Sequence, residues 1–257
     1  MRLKLERTAK RFERPKTLTE FQQMFFHIYG KADQKYSDRD LLFRLMEEIA
    51  STMELARKDY RDAFKIQLAT IFSWYISVAN RFGINLQEIL WFKYPGACTY
   101  CTREANCTCA VEHPQVKNKE EIVRRMRRER NGREPISLSE HQALHKRLYG
   151  WQNARILPIQ VAAHLAEEMG EVCGAYRRGN FEEFRDELAD IASWIFALAT
   201  RLELGGEPEE FDLARLVWER YPYECWKCHS DVCNCEEPKR DKKRKNKWPA
   251  RKALGKI

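Results

Sequence analysis

The stretch PIQVAAHLAEEMGEVCGAYRRGNFEEFRDELADIASWIFALATRLE, residues 158–203, decides the fold. Its apolar residues recur at three- and four-residue spacing with few β-branched alternations, which is typical of amphipathic helices. Pro158 suits a first helical turn, and the Gly179-Asn180 step suits a helix end followed by a tight turn. The stretch therefore predicts two helices that pack against each other in antiparallel orientation.

The same pattern occurs earlier in the chain, because the sequence repeats itself. Residues 18–83 align with 138–203 at a constant offset of 120, with 17 identities in 66 positions. After a seven-residue insertion near Gly205 the match resumes, and Trp91 pairs with Trp218. A repeat of this kind indicates one structural unit present twice. Helices are predicted over 18–29, 39–58, 61–82 and 85–93, and again over 138–149, 157–178, 181–203 and 208–220, with Thr19 and Ser139 as N-caps.

The predicted fold class is all-α, and composition divides the chain into seven segments. They are a basic N-terminal extension (1–17), a first repeat (18–97), a cysteine-rich segment (98–117), a charged linker (118–136), a second repeat (137–224), a second cysteine-rich segment (225–237) and a basic tail (238–257). The tail holds ten Lys or Arg and one Asp, a net charge of +9. Since the whole chain carries +8, the rest is close to neutral. Such a tail is usually disordered, and contact with nucleic acid or a partner protein is the functional alternative to a solvated tail.

Composition also bounds the class of protein. Hydrophobic residues make up 44% of the chain and aromatic residues 12%, which is enough to build a core. No run approaches the roughly 20 apolar residues of a membrane span, and the N-terminus lacks the apolar segment of a secretory signal. We therefore expect a folded, soluble, cytoplasmic protein with no membrane partner.

Four carboxylates stand at helical spacing in the second repeat. Glu168 and Glu171 are three residues apart, as are Glu187 and Asp190, so each pair shares one face of its helix. If the two helices pack together, the carboxylates converge in apolar surroundings, where their charge is costly unless a cation neutralises it. Hard oxygen ligands in this number favour Mg²⁺ or Mn²⁺. The alternative is a pair of solvated acidic helix faces.

The first repeat has lost most of these carboxylates while keeping the residues around them. Its Ser51, Gln67 and Thr70 stand where the second repeat has Glu171, Glu187 and Asp190. Glu48 still matches Glu168, and the flanking apolar residues and Trp74 persist. This selective loss indicates a function that one copy has kept and the other has shed.

The sequence Glu167-Glu168-x-x-Glu171 followed by Glu187-x-x-Asp190 resembles the EExxE and ExxD motifs of the all-α NTP pyrophosphatases. That superfamily includes MazG, the dimeric dUTPases and phosphoribosyl-ATP pyrophosphatase. The likeness covers most of 138–203 and, in decayed form, 18–94. It implies two tandem MazG-like four-helix repeats forming a pseudo-two-fold body, an intrachain pseudo-dimer in which 18–94 is the inactive partner of 138–221. Association into a higher oligomer stays open.

The resemblance also implies an activity, the hydrolysis of a nucleoside or deoxynucleoside triphosphate between its α- and β-phosphates to the monophosphate and pyrophosphate. Glu168, Glu171, Glu187 and Asp190 would correspond to ligands of a catalytic Mg²⁺ or Mn²⁺. Glu167 lies next to them, and Glu167 or Glu168 would orient or deprotonate the attacking water.

Four further residues are expected to contact substrate, two of them because they match positions in the relatives. Trp194 and Arg201 match an aromatic residue and an arginine that contact substrate in relatives, and Lys93 and Tyr94 are expected at the cleft shared by the two repeats. The alternatives are a core aromatic for Trp194, since Trp74 persists in the decayed copy, and a helix-dipole contact for Arg201.

Eight of the nine cysteines form two clusters of similar spacing. The first is Cys98-x2-Cys101-x5-Cys107-x-Cys109 and the second is Cys225-x2-Cys228-x4-Cys233-x-Cys235. Four thiolates within a dozen residues suit a closed tetrahedral zinc site, so two structural Zn²⁺ ions are predicted. The functional alternative is a pair of zinc knuckles that bind nucleic acid with help from Trp226, Lys227 and the basic tail. Cys173 is left over and is expected to be a small buried residue.

Two other functions compete with the NTP pyrophosphohydrolase. One is a non-catalytic nucleotide sensor or nucleic-acid-associated zinc-binding adaptor, which would have no need of the intact carboxylate set. The other is phosphoribosyl-ATP hydrolysis, whose usual short enzyme form has neither the tandem repeat nor the cysteine clusters.

Overall fold

A computed structural model of the chain describes residues 12–204, 206 and 210–235. Ten α-helices and no strand occur in this part of the chain, which confirms the all-α class. The helices are α1 Leu18–Asp33, α2 Asp38–Lys58, α3 Arg61–Arg81, α4 Leu86–Lys93, α5 Cys109–Glu112, α6 Lys119–Glu129, α7 Leu138–Asn153, α8 Pro158–Arg178, α9 Phe181–Glu203 and α10 Leu213–Arg220. None of the described helices combines the length and apolarity needed to cross a bilayer. The predicted basic tail and most of the predicted N-terminal extension lie outside the described residues.

Helix capping decides where the helices begin. Thr17 and Ser137 cap α1 and α7, so the predicted N-caps Thr19 and Ser139 are wrong by two residues. Each capping hydroxyl accepts a hydrogen bond from the backbone N–H of the glutamate three residues later, and that glutamate accepts one from the cap backbone. This capping box satisfies two N–H groups that the helix itself cannot. Both predicted caps lie inside the first turn.

The other helix ends mostly follow the sequence signals. Pro158 occupies the first turn of α8, and Gly179 ends that helix with a φ of 68°. This left-handed conformation suits glycine, which has no Cβ to clash. Helix α10 begins at Leu213 instead of 208, because the Asp212 side chain caps its first turn. Helix α6 lies within the predicted linker.

The helices of the two repeats make equivalent contacts. Helix α2 packs on α3 and α1 on α3, just as α8 packs on α9 and α7 on α9. Helix α4 crosses to pack on α9, and α10 crosses to pack on α3. Helices α2 and α8 pack on each other, as do α3 and α9. Exchanging α1–α4 with α7–α10 therefore maps each of these contacts onto another, and the buried side chains of both repeats form one continuous core.

The cysteine-rich segments also cross between the repeats. The backbone N–H of Cys107 donates to the carbonyl of Leu148 on α7 at 2.7 Å. The backbone N–H of Cys233 donates to the carbonyl of Ile28 on α1, also at 2.7 Å. Each segment therefore lies on the first helix of the other repeat, and the two repeats cannot separate without breaking these bonds.

Candidate metal and substrate site

The second repeat contains a cavity of about 210 Å³, which we call the second cavity. Helices α7, α8 and α9 form part of its wall, and the segment that follows α4 of the first repeat forms the rest. Among the side chains that line it are Tyr94, Cys98, Tyr100, Asn153, Glu168, Asp190 and Trp194. The second cavity is thus built from residues of both repeats.

Three of the four predicted magnesium ligands meet beside this cavity. One carboxylate oxygen from each of Glu168, Glu171 and Glu187 lies within 4.8 Å of the other two. Glu168 and Glu187 are half-buried, whereas Glu171 is exposed. Three carboxylates at this distance repel one another, and oxygen ligands of this kind are those that Mg²⁺ prefers. The donor set therefore fits a hard divalent cation.

The electrostatics of the site are those of crowded carboxylates. Burial, and then the neighbouring Asp190, raise the pKa of Glu168 to about 7. Burial also raises the pKa of Glu187 to about 7, with Lys93 acting in the opposite direction. A bound cation would favour the ionised forms and lower both pKa values.

Asp190, the fourth predicted ligand, is held by the first repeat. Its carboxylate accepts a hydrogen bond from Lys93 Nζ at 2.7 Å and another from the Tyr94 hydroxyl. The Lys93 and Asp190 side chains are only 18% and 17% exposed, so the ion pair is largely desolvated. Burial tends to lower the pKa of Lys93, but the surrounding carboxylates outweigh it and raise that pKa overall. The structure thus places Lys93 and Tyr94 of the first repeat in contact with Asp190 of the second.

Trp194 lines the cavity and contacts the carboxylate cluster. Its Nε1–H donates to Glu168 Oε1 at 3.0 Å. Its ring stacks on His164, with the centroids 4.5 Å apart. Glu167 lies apart from the cluster, because its carboxylate accepts a hydrogen bond from His164 Nδ1 at 2.7 Å and is 67% exposed.

Arg201 is not brought to the cavity. Its Nε donates to the carbonyl of Ile156 at 2.6 Å, which ties α9 to the connection before α8. Arg81 makes the equivalent contact in the first repeat, to the carbonyl of Tyr36 at 2.9 Å. The shared contact explains why both repeats have an arginine here.

Several residues that line the cavity were not predicted from the sequence, among them Tyr100, Tyr149 and Asn153. Tyr100 lies between Cys98 and Cys101, and burial followed by the Asp190 carboxylate raises its pKa. Asn153 is buried at the end of α7 and lines the cavity. The repeat alignment could have indicated Asn153 as a site residue, because it pairs there with another polar residue, Asp33.

The two predicted cysteine clusters are present as compact groups. In the first, Sγ–Sγ distances of 3.5, 3.6 and 3.8 Å join its four cysteines. In the second, Cys225 and Cys235 have their Sγ atoms 3.8 Å apart. Four sulfurs around a tetrahedral zinc at 2.3 Å are separated by about 3.8 Å, so both clusters can bind zinc. These distances exclude disulfides, whose sulfurs are about 2 Å apart.

The remaining thiol and the nearby histidine stand outside these clusters. Cys173 is half-buried, and burial raises the pKa of its thiol, as expected for an unreactive side chain. His229 Nδ1 lies 3.3 Å from the Glu224 carboxylate and is not part of the second cluster.

None of the protein-family models, curated proteins or solved structures compared with this chain matches it.

Proposed function

We propose that this protein is a MazG-like nucleoside triphosphate pyrophosphohydrolase whose second repeat is catalytic. The reaction is Mg²⁺-dependent hydrolysis of a nucleoside or deoxynucleoside triphosphate to the monophosphate and pyrophosphate. The observation that carries the proposal is the convergence of Glu168, Glu171 and Glu187 beside a cavity that also contains Asp190. Surface carboxylates on solvated helix faces have no reason to converge there.

The first repeat supports the proposal by contrast. Its remaining glutamate, Glu48, accepts a hydrogen bond from the Gln67 side-chain amide at 2.8 Å. Gln67 occupies the position of Glu187, so a neutral donor satisfies the carboxylate that a cation would satisfy in the second repeat. The exchange of equivalent helix contacts supports the pseudo-two-fold arrangement, with the inactive repeat as the intrachain partner.

Glu168, Glu171 and Glu187 would hold the metal, with Asp190 beside them. When bound, Mg²⁺ or Mn²⁺ neutralises phosphate charge and lowers the pKa of an attacking water. The chain itself supplies the other requirements. Glu168, which the bound cation would keep ionised, is placed to accept a proton from that water, and the Trp194 indole holds the carboxylate in place.

The first repeat contributes positive charge and a wall to the same cavity. Lys93 places an ammonium group next to Asp190, where it can attract the triphosphate. Tyr100, Tyr149 and Trp194 provide aromatic surfaces that suit a nucleobase. The zinc clusters have a structural role in this proposal, since the first cluster holds Tyr94 and Tyr100 against the second repeat.

The test is turnover of a panel of NTPs and dNTPs with Mg²⁺, with Mn²⁺ or without divalent cation, with the products separated by ion-exchange chromatography. We expect monophosphate and pyrophosphate, formed only with the metal. Glu168→Gln should lower kcat/KM by a factor of about 100 or more, the range for losing a general base. The matched control is Glu48→Gln in the first repeat, which should keep full turnover. Turnover in Glu168→Gln equal to wild type would contradict the site, and no turnover of any nucleotide would favour the sensor or adaptor.

A further inference from the structure

The first repeat has a cavity in the equivalent place, which we call the first cavity. Its volume is about 320 Å³, compared with about 210 Å³ for the second cavity. The walls of the two cavities correspond closely: Trp74 occupies the position equivalent to Trp194, and Tyr221 the position equivalent to Tyr94.

This first cavity has lost the means to hold a metal. Its one remaining carboxylate from the predicted set, Glu48, is hydrogen-bonded to the Gln67 amide. Thr70, which replaces Asp190, donates its hydroxyl to the carbonyl of Ile66 at 2.8 Å. In the described part of the chain, the groups able to hold a metal are the two cysteine clusters and the carboxylates of the second repeat.

The charge on the cavity walls is reversed between the repeats. Lys35, Arg44 and Lys227 line the first cavity. The described residues that line the second cavity include Glu168 and Asp190 but no lysine or arginine, and Lys93, which lies beside it, is paired with Asp190. Arg44 contacts Glu47 at 2.8 Å, but both side chains are substantially exposed, so this ion pair is weak and can exchange for another anion.

Aromatic rings accompany these cations. Tyr36 and Trp74 line the cavity with their ring centroids 6.1 Å apart in an edge-to-face arrangement. Trp226, from the cysteine-rich segment of the other repeat, also lines it. A planar base stacks on such rings, and cations beside them suit phosphate groups.

We propose that the first cavity is a second nucleotide-binding site, which binds a nucleotide without a metal ion. Lys35, Arg44 and Lys227 take the place of the cation in neutralising the phosphates, and Trp74 and Trp226 contact the base. The site goes beyond the proposed catalysis, since it needs neither the carboxylates nor turnover.

The polar residue beside these rings indicates which base fits. Asp33 lines the first cavity where Asn153 lines the second. An amide both donates and accepts hydrogen bonds, whereas an ionised carboxylate only accepts them. The first cavity therefore favours guanine, whose N1–H and N2–H donors lie side by side, over adenine, whose N6–H donor lies beside an acceptor nitrogen.

The experiment is equilibrium dialysis of the full-length chain against radiolabelled nucleotides in buffer without divalent cations. Passing the buffer over chelating resin removes free metal and leaves the cysteine-bound zinc in place. The ligands are GTP, GMP, ATP and inorganic pyrophosphate. GTP and GMP compare binding of substrate and product, ATP tests the preference for the base, and pyrophosphate tests binding of the phosphate groups alone. We expect one guanine nucleotide bound per chain and weaker binding of ATP and pyrophosphate.

Two pairs of variants locate the site. Trp74→Ala and Arg44→Ala should each weaken this binding at least tenfold, while the matched second-cavity variants Trp194→Ala and Glu187→Gln should leave it unchanged. The basic tail is the same in all four, so a selective loss cannot come from it. No metal-free binding, binding lost in Glu187→Gln but kept in Arg44→Ala, or pyrophosphate bound as tightly as GTP would each overturn the proposal. Since turnover is not the readout, failure here leaves the proposed catalysis untouched.

Discussion

Replacing Lys93 by methionine tests whether the first repeat stabilises the acidic site of the second. The Lys93–Asp190 ion pair has an N–O distance of 2.7 Å, and less than a fifth of either side chain is exposed. At an effective dielectric constant near 20, the attraction across that distance is about 6 kcal/mol. Desolvation of the ammonium group offsets part of it, so we expect the variant to lose about 2 to 3 kcal/mol of unfolding free energy.

The metal should reverse part of this loss. Without Lys93, Asp190 faces Glu168 and Glu187 with one positive charge fewer, so a divalent cation gains a more negative site. Urea unfolding of wild type and Lys93→Met, each with and without Mg²⁺, measures the free energy of unfolding in all four states. We expect Mg²⁺ to stabilise the variant more than the wild type.

The matched control is Arg220→Met, at the position equivalent to Lys93. The residue in the position of Asp190 is here Thr70, which has no charge, and Arg220 instead lies over the Trp226 ring at 4.6 Å from its centroid, so we expect a loss below about 1 kcal/mol. Equal losses in the two variants, or equal stabilisation of wild type and Lys93→Met by Mg²⁺, would refute the electrostatic account of the site.

Three other predictions concern the metals and the core. Mg²⁺ at about 100 times its Kd should stabilise the wild type by about 2.7 kcal/mol and Glu187→Gln much less, measured as a shift in thermal unfolding; equal shifts would contradict the ligand assignment. Burial lowers the pKa of His145 to about 4, so this residue should reduce the stability of the folded protein as pH falls from about 6.5 to 4, whereas the raised pKa values of Glu168 and Glu187 act in the opposite direction. In His145→Phe, which copies Phe25 of the first repeat, the urea midpoint should therefore fall less, or rise more, over this pH range than in the wild type; an equal change in both proteins would contradict this. Cys98→Ser and Cys225→Ser should each release one zinc per chain, but only Cys98→Ser should reduce turnover, because the first cluster lines the second cavity. Equal turnover in both variants would contradict a contribution of the first cluster to the active cavity.

Local signals in the sequence predicted the helices well. Apolar spacing, Pro158 and Gly179 are properties of consecutive residues, and a helix is held together by bonds between consecutive residues. Helices α1 and α7 run four residues past their predicted ends at 29 and 149. The start signals that differed, at Thr17 and Leu213, depend on which of several polar side chains reaches a free N–H group. Several nearby side chains could act as caps, and the sequence does not show which one does.

The candidate site was predictable only in part, because some of its contacts join residues that are far apart in the sequence. Glu168, Glu171 and Glu187 lie on two helices joined by a tight turn, so spacing alone brings them together. The partner of Asp190 is 97 residues away along the chain, and only the packing of α4 on α9 makes that contact. Tyr100 reaches the second cavity by the same crossing, which no local pattern indicates.

The crossing also explains how the first repeat could lose its carboxylates and still keep its framework. Its α4 and the segment that follows it supply Tyr94 and Tyr100 to the wall of the second cavity and pair Lys93 with Asp190. The loss of the carboxylates equivalent to Glu171, Glu187 and Asp190 removes charge from the first cavity only. Unfolding of the first repeat would instead open the second cavity. Under the proposed function, selection on the second cavity alone is therefore enough to retain the whole first repeat. The cations of the first cavity are not explained in this way, since Lys35 and Arg44 touch nothing in the second, and their presence argues for a ligand there.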